Sequence, residues 1–123
     1  MKNRKIEKVL NEWRNGNFEL GLSAAEAYWC RRYMDSVEKG FDEIVIDAHE
    51  CVHESEVPEM LEAAKALKIE YFMYASGYSG AFGVVNELVK NGAKVGKFVV
   101  KTYERETFGE TEIVEVCGLR INL

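Results

Sequence analysis

The sequence predicts an α/β domain. The expected form is a compact sandwich on a short, mostly parallel sheet of about four strands, the last antiparallel, with two N-terminal helices. Three observations predict it. Several segments repeat apolar residues at helical spacing. Short β-branched or aromatic runs stand between the later ones, which is the order of strand–helix–strand units. The length of 123 residues, 47% of them hydrophobic, suits one ordinary core. The predicted domain is therefore single, spanning 1–123, with a helical pair in 1–40 and a strand–helix–strand core with a C-terminal hairpin in 41–123.

In the first helix, over 3–14, Ile6, Val9, Leu10 and Trp13 form an apolar stripe, and "NGN" at 15–17 ends it. Ser23 with Glu26 reads as a capping box. The helix it opens carries Ala27, Cys30, Tyr33, Met34 and Val37 on one face, and Gly40 closes it. "EIVID" (43–47) is the first strand. Pro58 stands at a helix start, and Met60, Leu61, Ala64 and Leu67 follow at helical spacing. "IEYFMYAS" (69–76) is the second strand.

"SGAFGVVNELVKNG" (79–92) is a helix with Phe82, Val85, Leu88 and Val89 on its face, and Asn91-Gly92 ends it. "KVGKFVVKTY" (94–103) is the third strand. A polar loop, "ERETFGE", leads to the fourth, where Leu119, Ile121 and Leu123 alternate with Arg120 and Asn122. Strand–helix–strand units imply right-handed parallel crossovers. The last strand returns antiparallel to the third. The N-terminal helices are expected on the other face of the sheet, and the fourth strand at an exposed edge.

Charge narrows the function. The formal net charge is −5, which disfavours direct nucleic-acid binding. Between Phe41 and Ala64 the acids Asp42, Glu43, Asp47, Glu50, Glu54, Glu56, Glu59 and Glu62 have no Lys or Arg among them. Such a stretch can attract a basic protein partner, although the plainer reading is a solvated surface. The start lacks the apolar region and cleavage site of a signal peptide, and no apolar run is long enough for a bilayer. Cys30, Cys51 and Cys117 are odd in number and widely spaced, which fits reduced thiols. The expected setting is cytoplasmic, without a membrane partner; an oligomer is compatible.

Two stretches carry candidate chemistry. "HECVH" (49–53) has the letters of H-E-x-x-H, in which two histidines on one helical face hold zinc and the glutamate activates water. Here Pro58 disfavours a helix running through from Asp47. The segment is expected to be a loop, and the sequence marks out no third ligand. In extended form His49, Cys51 and His53 would share a side. The expectation is therefore no cofactor, with zinc on His49 and His53, and Glu50 as base, the alternative.

The second stretch is "ASGYSGAFG" (75–83), a glycine-bearing helix entry suited to an anion. It matches no phosphate-loop or nucleophile-elbow pattern. The duller reading has Ser76 or Ser79 capping the helix and Gly80 and Gly83 allowing close packing on the sheet. In open α/β sheets ligands bind beyond the carboxyl ends of strands. Neighbouring first and second strands would bring His49 and His53 to face Ser76, Gly77, Tyr78 and Ser79, the candidate ligand site. No residue is assigned a catalytic role.

From about Val52 on, "HESEVPEMLEAAKALKI", "EYFMYAS", "GYSGAFGVVNELVKNGAKVGKFVV" and the closing "GLRINL" resemble a family of small uncharacterised proteins encoded on phages and conjugative elements of gut Firmicutes. The resemblance implies an aromatic residue at the place of His53, no activity to carry over, and an accessory role. The leading expectation is a non-enzymatic macromolecular interaction module with an acidic surface. The alternatives are a small-ligand binder or enzyme using loops 48–55 and 75–80, and a zinc hydrolase.

Overall fold

The computed structural model describes residues 2–47, 49–77 and 79–123. In chain order the elements are α1 (Arg4–Arg14), α2 (Ala24–Glu38), β1 (Val45–Ile46), a 3-10 turn (Glu54–Glu56), α3 (Val57–Ala66), β2 (Tyr71–Tyr74), α4 (Ala81–Lys90), β3 (Lys94–Thr107) and β4 (Glu110–Asn122). The strands form one sheet in the order β1-β2-β4-β3.

β1 and β2 are parallel, while β4 lies antiparallel to both β2 and β3. The sheet is thus mixed, not mostly parallel. The crossover through α4 skips one position, and the returning β4 fills it. That insertion corrects the expected edge in part: β4 is internal over 119–122, between β2 and β3, while over 110–118 it pairs with β3 alone among the described residues and keeps a free edge.

Both crossovers step in the same direction across the sheet, so right-handedness places α3 and α4 on one face. The N-terminal helices join them there instead of covering the other face. Ile6 and Leu10 of α1, Trp29, Cys30 and Tyr33 of α2, and the apolar sides of α3 and α4 share one cluster with Ile46, Phe72, Tyr74 and Ile121. Trp29 packs edge-on against Phe72 at 4.9 Å, and its indole N–H donates to the Met60 carbonyl at 2.9 Å. The opposite face has a small cluster of Phe41, Val45, Met73, Ala75 and Val116, to which no helix contributes among the described residues.

The local signals explain most starts and stops. Asn3 caps α1 by accepting from the Ile6 N–H at 3.0 Å, and its amide donates to the Leu67 carbonyl at 2.8 Å. One residue thus satisfies the start of α1 and the end of α3. The Ser23–Glu26 capping box is present in both directions. Two helices are rotated from the expected phase. α2 buries Trp29, Cys30, Tyr33 and Ser36, leaving Met34 and Val37 exposed. α4 buries Val84 and Leu88, leaving Phe82 and Val89 exposed. In α2 the large Trp29 takes the core position that the apolar spacing assigned to its neighbours.

The expected polar loop between the last strands is absent. The ladder continues to the pair Thr107–Glu110, and only Phe108 and Gly109 turn. Both have positive φ, 53° and 79°, as a two-residue type I′ hairpin requires. β2 pairs only with residues 119–122 of β4, so the β3–β4 ladder runs on beyond the sheet as a two-stranded ribbon.

Candidate functional site

Parallel pairing of β1 with β2 brings the loops after them side by side, as the sequence implied for neighbouring strands. The Ser76 hydroxyl donates to the Glu50 carbonyl at 3.1 Å, tying the two loops together. Gly83 lies against the Glu54 carboxylate, where a Cβ would collide. Ser76 and Ser79 do not cap α4. Its N-cap is Gly80, without a side-chain bond. Gly83 therefore makes room for a glutamate of the 3-10 turn instead of for the sheet.

The histidines do not share a helix. His49 is an exposed turn residue, and His53 is exposed immediately before the 3-10 turn. The His53 backbone N–H donates to the Glu56 carboxylate at 3.1 Å. Cys51 Sγ stands 4.0 Å from His53 Nε2. Glu50 forms an ion pair with Arg32 at 2.7 Å, so a cation already holds the would-be general base. Among the described residues no three His, Cys, Asp or Glu side chains are grouped to hold a metal. Gly77 and Ser79 are exposed and Ser76 half-buried. Tyr78 lies outside the described residues.

A concavity beside Cys51 and Val52 involves α2, which the sequence had not linked to these loops. A cleft of about 230 Å³ is lined by Tyr28, Arg31, Cys51, Val52 and Glu56 among others. Beside it the Arg32 guanidinium lies 5.5 Å from the centre of the Tyr28 ring. Burial first, then the Glu50 charge, push the Tyr28 phenol well above its ordinary range. Its hydroxyl is buried without a hydrogen-bond partner among the described residues. The arrangement offers a neutral phenol and cations near an exposed thiol. It does not assemble a nucleophile, a base and an orienting group.

The acidic stretch divides in two. Asp42 pairs with Lys101 at 2.6 Å, buried Glu43 with Arg120 at 2.5 Å, Asp47 with Lys39 at 2.7 Å and Glu50 with Arg32. Glu54, Glu56, Glu59 and Glu62 remain exposed on the 3-10 turn and α3. Exposed apolar side chains concentrate elsewhere. Phe82 and Val89 on α4 and Val95, Phe98, Val100, Phe108 and Ile113 on β3, β4 and their turn all face solvent. By register Phe98 and Val100 lie on the side of Leu119, which packs in the helix-covered core. The ribbon and α4 therefore expose apolar groups on the same side of the sheet.

The fold and its loops define a mixed α/β domain without a complete catalytic constellation among the described residues. The chain belongs to a family described as a domain of unknown function, DUF7698, which matches residues 28–123. The match thus takes in most of α2, well before the Val52 start of the resemblance seen in the sequence. No curated protein and no solved structure matches the chain.

Proposed function

We propose that this chain is a non-enzymatic interaction module that docks a basic protein on the helix side of the β3–β4 ribbon and α4. The observation that carries the reading is the exposure of Phe82 (91%), Phe98 (63%) and Ile113 (72%). Large apolar residues gathered on one side mark interaction surfaces, whereas scattered ones need no explanation. Glu104, Glu106 and Glu115 stand around this surface on the ribbon, all exposed. A partner with apolar anchors and a basic rim complements it. An accessory role in the cytoplasm, on a mobile element, accords with the family resemblance described above.

The test compares the chain with a Phe98→Asp/Ile113→Asp variant in capture from host lysate at low salt. Both positions are exposed, so the variant is expected to keep its circular dichroism. A basic partner held by the wild type and lost by the variant is the expected result. Equal capture by both, or none by either, overturns the reading.

Two observations favour a second reading, a small-ligand site between loops 48–55 and 75–80. The loops are tied by the Ser76–Glu50 bond, and among the described residues the Tyr28 hydroxyl near them has no partner. A ligand at a hundredfold its dissociation constant stabilises by about 2.7 kcal/mol. A melting shift with phosphorylated metabolites, abolished by Ser76→Ala, would support this reading; no shift with any would remove it.

A further inference from the structure

We propose that the free edge of β3 pairs with β3 of a second copy of this chain, antiparallel and centred on Thr102. This goes beyond the reading above, because it uses the strand edge and leaves the ribbon face open to a partner.

The two edges of the sheet differ. β1 has two residues, and the Ser36 hydroxyl accepts its Val45 N–H at 2.9 Å. β3 has fourteen residues and, among the described residues, pairs with β4 alone. A long unpaired edge is a template for another strand. A two-stranded ribbon beyond its sheet also gains from added strands.

Charge selects the occupant. Residues 94–101 carry Lys94, Lys97 and Lys101 with no acid. The last part of β3 carries Glu104 and Glu106 against Arg105, whose charge Glu112 of β4 already meets at 2.9 Å. Antiparallel self-pairing lays the acidic end of each copy along the basic end of the other.

Register follows by elimination. A twofold axis through the sheet makes one residue face its own copy. Lys101 or Glu104 there sets like charges opposite each other, which is destabilising. Tyr103 there sets Lys101 against Arg105. The bulge between Val95 and Phe98 interrupts any pairing centred on Val99 or Val100. Thr102 on the axis gives a Thr–Thr pair, sets Lys101 beside Tyr103, and runs without a like-charge pair or bulge from Phe98 to Glu106.

The experiment is analytical ultracentrifugation of the full chain up to several hundred micromolar, with Thr102→Lys and Thr111→Lys. Both threonines are exposed, but Thr111 lies on β4, on the far side of the ribbon from the β3 edge. The expected result is a wild-type dimer that added salt weakens. Thr102→Lys should raise its dissociation constant roughly tenfold or more, because two cations meet on the axis. Thr111→Lys should leave it nearly unchanged. A wild type that is monomeric throughout, or equal effects of the two variants, overturns the proposal. If Thr102→Lys fails to fold, Thr102→Cys in a Cys51→Ser/Cys117→Ser background decides. Oxidation should yield a covalent dimer absent from the background protein, and failure to cross-link overturns the register.

Discussion

Arg120 donates to the carboxylate of Glu43 at 2.5 Å, joining β4 to the residue two places before β1 across 77 positions of sequence. Glu43 is 2% exposed, and its nearest other cation is Lys101 at 3.7 Å. The guanidinium also lies 5.0 Å from the centre of the Tyr71 ring. A buried ion pair is expensive to break, because the remaining charge stays desolvated, yet it is often replaceable as a pair. Arg120→Met should cost about 1–3 kcal/mol, because Arg120 is partly exposed and Lys101 stays beside Glu43. The double variant Glu43→Leu/Arg120→Met should recover most of that loss. Urea unfolding of the three proteins checks this, and a double variant as unstable as the single one would contradict it.

That pair shows why only part of the acidic segment is left as a solvated surface. No Lys or Arg stands between Phe41 and Ala64, but the fold supplies Lys101, Arg120, Lys39 and Arg32 from other elements. Local charge counting cannot see partners that arrive by sheet pairing. The element order and the Ser23–Glu26 cap were legible, because they depend on neighbours in sequence. The place of β4 was not, because an antiparallel strand can return to either side of β3. The loops were placed correctly side by side, while the part of Tyr28 and Arg32 beside them depends on helix packing that periodicity does not fix.

Phe108 occupies the left-handed region with φ 53°, and its side chain is fully exposed. An aromatic residue there is strained, whereas asparagine tolerates the conformation and suits the first position of a type I′ turn before glycine. Phe108→Asn should stabilise the chain by about 0.5–1 kcal/mol. Gly109→Ala, at φ 79°, should destabilise it. Thermal melts of both variants test the turn, and a lower melting temperature for Phe108→Asn would contradict the assignment or show that the ring is held by a partner.

Alkaline pH should destabilise the fold. Burial, then the Glu26 charge, push the Cys30 thiol from its ordinary 9.0 to about 11. Burial alone would lower the Lys39 ammonium, but hydrogen bonds to Asp47 and Asp35 outweigh it and raise the group. A group whose folded pKa is raised keeps its full stabilising effect below the unfolded value and loses it as pH rises through the folded value. For Cys30 that window runs from 9.0 to about 11, and two pH units correspond to at most about 3 kcal/mol. Cys30→Ala should be less stable at neutral pH, since it opens a cavity, but should lose less between pH 9 and 11. Parallel slopes for the two proteins in urea titrations would show that Cys30 does not carry the effect.

The histidine pair makes the last prediction. A catalytic zinc takes three protein ligands and keeps one position for water. His49 and His53 are loop residues, Glu50 is engaged by Arg32, and no third ligand is grouped with them among the described residues. The nearest sulfur, Cys51, offers a two-residue chelate with His53 at most. Protein purified without chelator should therefore carry well under one zinc per chain by mass spectrometry. His49→Ala and His53→Ala should leave the metal content unchanged. About one zinc per chain in the wild type, lost in His49→Ala, would instead restore the hydrolase alternative and make Glu50 the next residue to replace. Binding that survives His49→Ala but not Cys51→Ser would point to the Cys51–His53 pair and leave the H-E-x-x-H reading without support.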